Sequence, residues 1–162
     1  MTFKQGNING VVIRELNLRV DERGWLVELF RSDETDEEQL PAMAYVSSSA
    51  PGVTRGPHEH TVQSDNFCMI GPSTFRVFCW DNRKSSPTFG NKMVFEAGEN
   101  RPRSIFVPPG VVHAYRNIGS DKGWVINLPN RLYAGRRRKE PLDEIRHEQN
   151  PHSEFTMEES TQ

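Results

Sequence analysis

Between residues 42 and 128 the chain is a succession of short apolar runs, none longer than a strand requires, separated by turn formers. Runs at 42–49, 66–70, 75–80, 92–96, 104–107, 112–116 and 124–128 are punctuated by Gly71-Pro72, Asn82, Gly98, Pro108-Pro109-Gly110 and Gly119. Short strands at this spacing close into a sandwich or barrel. No strand-helix-strand rhythm and no internal repeat interrupts them. Upstream, Leu16, Leu18 and Val20 alternate, and Trp25, Val27 and Leu29 repeat the alternation after Asp21-Glu22-Arg23-Gly24, which predicts a hairpin over about 10–30. Thr35-Asp36-Glu37-Glu38 has the form of a capping box ahead of Pro41, giving a short acidic helix at most.

At 162 residues the chain fits one domain with a core that needs no disulfide. The expected barrel spans about 42–133, and a polar stretch over about 134–162 covers it and then frays. A formal charge of −2, from 20 basic and 22 acidic residues, gives no field for nucleic acid or an anionic membrane. The Arg136-Arg137-Arg138-Lys139 run reads as a solvated cluster. No apolar run reaches membrane-spanning length, and 1–10 lacks the apolar core of a signal peptide, so a cytoplasmic location is expected. Cys68 and Cys79 each lie inside an apolar run and read as buried free thiols. Trp80, Trp124 and the strand phenylalanines are expected in the core.

The chemistry concentrates in 53–90. His58 and His60 are two positions apart, so a strand carrying them presents both imidazoles on one face, near Arg55. A neutral imidazole is a base suited to removing a proton beside a carbonyl, and a guanidinium suits a diphosphate.

Four motifs occur in order: Asp21-Glu22-Arg23-Gly24-Trp25-Leu26-Val27-Glu28; Arg55-Gly56-Pro57-His58; Asp81-Asn82-Arg83 with Ser86-Pro87-Thr88-Phe89-Gly90; and Pro108-Pro109-Gly110-Val111-Val112-His113. Over about 10–133 the chain thereby resembles the dTDP-4-dehydrorhamnose 3,5-epimerases. The resemblance implies an all-β, single-domain cupin, a double-stranded β-helix or jelly-roll barrel. It also implies a homodimer that exchanges the N-terminal hairpin, a dTDP-linked 4-keto-6-deoxyhexose as substrate, and no cofactor. By the same resemblance His58 is the base, and Asp81 is a second catalytic group that shares the sugar pocket with His113. Arg55 and Arg23 grip the diphosphate, Glu28 holds the nucleotide end, and Trp25 stands near the nucleotide.

The chain departs from the family where the chemistry needs a donor. The family's enolate-stabilising lysine falls at Asn66, beside Asp65, and its tyrosine acid falls at Asn127. Its base-orienting aspartate falls near Asn150, with Asp143 and Glu148 the nearest carboxylates. Tyr115 and Tyr133 are the replacement acids the sequence offers. His60, where the family often has glutamine, adds a further pocket group and opens other readings. Metal-binding cupins place an HxH pair, an acid and a later histidine as His58, His60, Asp65 and His113 stand here, and such a set suits a divalent metal. The Arg-Gly-x-His-x-His pattern also resembles the metal-free sugar-nucleotide 3,4-ketoisomerases. A catalytically silent nucleotide-sugar binder is the remaining alternative.

Overall fold

The computed structural model describes residues 2–157. Thirteen strands follow in chain order: β1 (Lys4–Gln5), β2 (Val12–Glu15), β3 (Arg19–Asp21), β4 (Gly24–Leu26), β5 (Tyr45–Ser49), β6 (Thr54–Glu59), β7 (Asp65–Met69), β8 (Thr74–Asp81), β9 (Asn91–Gly98), β10 (Arg103–Val107), β11 (Val111–Asn117), β12 (Gly123–Asn127) and β13 (Ile145–Arg146). They form a six-stranded sheet in the order β1-β9-β8-β11-β6-β13, a five-stranded sheet β2-β10-β7-β12-β5, and a separate hairpin β3-β4. This is the all-β cupin barrel that the strand spacing and the motifs predict. No helix among the described residues is long and apolar enough to cross a membrane.

The two large sheets enclose one core. Phe67, Met69, Phe75, Val77, Cys79, Ile105, Val107, Val111, Tyr115 and Val125 fill it. A second apolar layer lies on the other side of the six-stranded sheet. There Phe78, Trp80, Val112 and Ala114 are covered by Phe155 from the C-terminal stretch, with Phe3 packed alongside. Alternation along β8 produces both layers: Phe75, Val77 and Cys79 face inward, while Phe78 and Trp80 face the C-terminal cover. The two cysteines are free and buried, and burial pushes each thiol up to about 12.

Three expectations are corrected. The N-terminal hairpin is shorter than 10–30: β2 instead pairs antiparallel with β10, and only β3 and β4 pair with each other. The Thr35 hydroxyl bonds the Arg31 carbonyl at 2.9 Å, so no capping box forms; the chain makes 3-10 turns at Ser32–Glu34 and Glu37–Gln39 without side-chain caps. Trp124 is 54% exposed because it lies opposite Ser48 on the outward face of β12, while Val125 takes the core. The Arg55–His58 segment, outside every apolar run, is nonetheless a central strand held by β11 on one side and β13 on the other.

Candidate active site

β6 delivers the site. His58 pairs with His113, Arg55 pairs with Tyr115, and the register shifts between them. This β-bulge sets residues three apart onto one face, which regular alternation forbids. Gly56 makes it possible, with φ of +82° and room for no side chain, since a Cβ there would lie 2.5 Å from the His113 carbonyl oxygen.

Three imidazoles meet inside the barrel. The His58 and His113 ring centroids are 4.5 Å apart, those of His58 and His60 5.7 Å, and those of His60 and His113 5.8 Å. Asp65 joins them from β7, its Oδ2 being 3.2 Å from His60 Nε2 and 3.3 Å from His113 Nε2. Its other oxygen accepts from Asn127 Nδ2 at 2.8 Å and Gln63 Nε2 at 3.0 Å.

These contacts fix the rings. His113 Nδ1 lies 3.1 Å from the Val111 carbonyl, and His60 Nδ1 bonds the Asp143 carbonyl. A carbonyl only accepts, so each Nδ1 carries the hydrogen and each Nε2 is left facing the carboxylate. His58 differs. Among the described residues neither of its nitrogens has a hydrogen-bond partner.

Burial is the largest influence on His58, and with the neighbouring His113 and His60 it pushes the ring down to about 2, so His58 is neutral. Burial alone would lower His60 too, but the Asp65 carboxylate and the Asp143 carbonyl outweigh it and raise the ring to about 8. Asp65 is held below the usual carboxylate range: burial acts to raise it, and the bonds from His113 and His60 prevail.

A sequence profile of the dTDP-4-dehydrorhamnose 3,5-epimerase family matches residues 5–139. The chain belongs to that family. The probable low-salt glycan biosynthesis epimerase of Haloferax volcanii is 40% identical over 129 residues, 78% of this chain and 81% of that protein. The spore coat polysaccharide biosynthesis protein SpsL of Bacillus subtilis is 35% identical over 126 residues, 78% of this chain and 82% of that protein. The fold matches that of ChmJ, a 3′-monoepimerase from Streptomyces bikiniensis solved with dTDP-quinovose. The TM-score there is 0.75 at 22% identity, over 88% of this chain and 72% of that one.

Set against the 3,5-epimerase family, the remaining positions sort by place. Asn66 is not in the barrel. It follows the inward Asp65, so alternation turns it outward, where its Oδ1 accepts from Ser104 Oγ at 2.9 Å. It lines a cleft of about 220 Å³ with Arg14, Arg19, Glu28 and Arg31. The inward position thus belongs to Asp65, the acid set beside Asn66 in the sequence. Glu28 pairs with Arg31 at 3.4 Å and Arg19 at 3.5 Å, and Arg23 pairs with Asp21 at 2.6 Å on the exposed hairpin; within one chain neither meets the imidazoles. Arg55 is anchored at its outer end, bonding Ser49 Oγ at 3.0 Å and the Ser48 carbonyl at 2.9 Å.

Asp81 is committed elsewhere. Its carboxylate accepts from Arg83, Ser86 and Thr88 at 2.6 to 2.9 Å and closes the 81–88 loop. Burial would raise it, yet those donors hold it down to about 2. Within this chain its carboxylate thus anchors the turn that follows β8. Asp143 likewise does not orient His58: its carboxylate accepts from the backbone of Thr61, Val62 and Gln63 at 2.8 to 2.9 Å, shaping the loop after His60. Glu148 is exposed.

Of the replacement acids, Tyr133 is exposed, and Tyr115 is packed between Phe67 and Phe75 with its hydroxyl 3.2 Å from Ser47 Oγ. The tyrosine that reaches the polar wall is Tyr45, which sequence reasoning missed. It pairs with Asn127 across β5 and β12, and Asn127 Nδ2 donates to its hydroxyl at 2.9 Å. Its only sequence signal is its parity with Ser47 and Ser49 in one strand, and that becomes informative once β12 is known to be the neighbour.

Proposed function

We propose that the chain is a sugar-nucleotide epimerase acting on a dTDP-linked 4-keto-6-deoxyhexose. His58 takes the proton from a carbon beside the C4 ketone, the electron pair delocalises onto the ketone oxygen, and the carbon is reprotonated on its opposite face. The unpartnered, neutral ring of His58 inside the barrel carries this reading, since a base must offer a free lone pair where the substrate sits. Tyr45 is the donor for the return proton. Burial raises its hydroxyl to about 12, so it keeps its hydrogen at neutral pH, and accepting from Asn127 leaves that hydrogen free. A solvent proton then restores Tyr45 as His58 releases its own.

The names of the two relatives, a glycan biosynthesis epimerase and a spore coat polysaccharide protein, support a place in supplying sugars for a surface glycan. Arg55 grips the diphosphate, and Arg23 reaches it from the hairpin of a second copy. The hairpin joins neither sheet and exposes Val20, Trp25 and Leu26, an apolar ribbon that a homodimer would cover.

The test is proton NMR of a dTDP-4-keto-6-deoxyhexose in deuterated water. The native protein washes deuterium into the position beside the ketone, and His58→Ala slows this by ~10²–10⁴. Exchange unchanged in His58→Ala refutes the assignment. A nucleotide sugar that raises the melting temperature without any exchange shows a binder instead.

A further inference from the structure

Tyr45 can return a proton only while its hydroxyl hydrogen is free, and that depends on which way round the Asn127 amide sits. An amide presents a donor on one side and an acceptor on the other. With Nδ2 toward the phenol, the hydroxyl accepts at 2.9 Å and keeps its hydrogen for the substrate. Turned over, the amide oxygen would take that hydrogen. Two neighbours decide between the orientations. The Asn66 backbone N–H, which only donates, lies 3.1 Å from Asn127 Oδ1, and the Asp65 carboxylate accepts from Asn127 Nδ2 at 2.8 Å. Asp65 is 2% exposed and Asn127 1%, so water offers neither of them a substitute partner. Burial alone would raise Asp65, but the contacts of His113 and His60 with its other oxygen hold it below the usual carboxylate range, so it only accepts.

We propose that Asp65 is a positioning residue of the epimerase site: by accepting from Asn127 Nδ2 it locks the amide in the one orientation that leaves the Tyr45 hydrogen for the substrate. The lock serves both halves of the proton return. As the Tyr45 O–H bond breaks, its proton joins the carbon that His58 deprotonated, the enolate's electron pair forms the new C–H bond, and the phenol's own pair stays on oxygen. The phenolate so formed still faces an N–H. Burial raises the hydroxyl and the Asn127 hydrogen bond works the other way, so the same amide eases the charge that develops there. A turned amide would set a carbonyl oxygen against that charge. Solvent then reprotonates the phenolate. Gln63 Nε2 donates to the same Asp65 oxygen at 3.0 Å and steadies the acceptor.

The inference rests on the epimerase reading, with Tyr45 as the donor of the return proton. It gives a task to a buried carboxylate that neither takes nor gives the substrate's proton. Two substitutions at position 65 differ in a way that packing alone does not explain. An asparagine keeps an acceptor oxygen toward Asn127 while its amide hydrogens face the Nε2 atoms of neutral His60 and His113, so the lock survives. An alanine offers Asn127 no acceptor, and the amide is free to turn toward Tyr45.

The test uses full-length protein and two readouts. The first compares inversion with deuterium wash-in on a dTDP-4-keto-6-deoxyhexose by NMR. In Asp65→Ala inversion falls ~10-fold or more relative to wash-in, and Asp65→Asn restores the native ratio to within a few-fold. Asn127→Asp, whose carboxyl oxygen takes the Tyr45 hydrogen, lowers the ratio in the same way should Asp65→Ala fail to fold. The second readout needs no substrate: the Raman ring doublet of tyrosine reports whether the hydroxyl accepts or donates, and subtracting the spectrum of Tyr45→Phe isolates Tyr45. It reads as an acceptor in the native protein and turns to a donor in Asp65→Ala. Inversion and wash-in that fall together in Asp65→Ala, an unchanged ratio there, or an Asp65→Asn as impaired as Asp65→Ala overturns the proposal. A donating Tyr45 in the native protein sinks the lock and spares the epimerase reading, which stands on exchange at His58. The expected Raman change with no exchange on any 4-keto sugar nucleotide upholds the lock and sinks that reading.

Discussion

Tyr45 and Asn127 face each other across β5 and β12, joined by a 2.9 Å hydrogen bond from the amide to the hydroxyl. The resemblance alone sets the family's tyrosine at Asn127; the structure brings a phenol to the same wall of the barrel from the neighbouring strand. The other amide hydrogen of Asn127 goes to Asp65 at 2.8 Å, so one side chain connects the tyrosine to the imidazole cluster.

Tyr45→Phe should therefore separate exchange from inversion. Proton removal by His58 continues, while the rate of inversion falls by ~10²-fold or more, because the positioned donor is gone. Product analysis by NMR beside the deuterium wash-in reads the two rates. Equal loss of both, or of neither, rules Tyr45 out as the donor.

Gly56 holds the bulge that brings Arg55 and His58 to one face. In Gly56→Ala the Cβ would meet the His113 carbonyl oxygen at 2.5 Å, on a backbone with φ of +82°. The left-handed conformation alone costs a non-glycine residue about 1–2 kcal/mol, and the clash must further part β6 from β11. Urea unfolding should show a loss of about 2 kcal/mol or more, with exchange activity falling even at temperatures where the variant stays folded. A variant with native stability and native activity would mean the bulge does not set the site.

How much of this was legible in the sequence depends on what each residue needed. The shared face of His58 and His60 followed from their spacing, and most strand limits lay within a residue or two of the apolar runs because turn formers end strands for local reasons. Arg55 with His58 did not follow, since alternation puts residues three apart on opposite faces unless a bulge intervenes. Asp65 and Asn66 are a polar pair whose parity only the pairing with β10 and β12 decides. Trp124 misled because a lone strand does not reveal which of its faces is covered. Tyr45 depended on a cross-strand neighbour 82 positions away.

Asp81 gives a pH signature. Its pKa falls from 3.8 when unfolded to about 2 when folded, so its contribution to stability is complete above about pH 4–5 and is lost as pH falls toward 2. That shift corresponds to about 2 kcal/mol. Asp81→Asn should melt well below the native protein at pH 7, and the gap should close on approaching pH 2. Its turnover per folded molecule should stay within a few-fold of native. A ~10²-fold loss of turnover with an unchanged melting temperature would restore Asp81 to the chemistry.

The C-terminal stretch is a working part of the fold. Phe155 is buried between Phe3 and His147, with ring centroids at 5.3 and 4.5 Å, and meets Trp80 edge-on at 5.9 Å. His147 Nε2 in turn contacts Glu59 Oε1 at 2.9 Å, at the end of β6, the strand that carries His58, and Asp143 shapes the loop that follows His60. Removing a buried phenylalanine typically costs about 3–5 kcal/mol, with partial exposure of this segment placing Phe155→Ala near the lower value. Because the lost contacts lie on the outer layer, the imidazoles keep their positions in molecules that remain folded. Thermal melts should show the loss, and deuterium exchange at 10–20 °C should remain within a few-fold of native. Native stability in Phe155→Ala would mean that the outer layer holds without its cover.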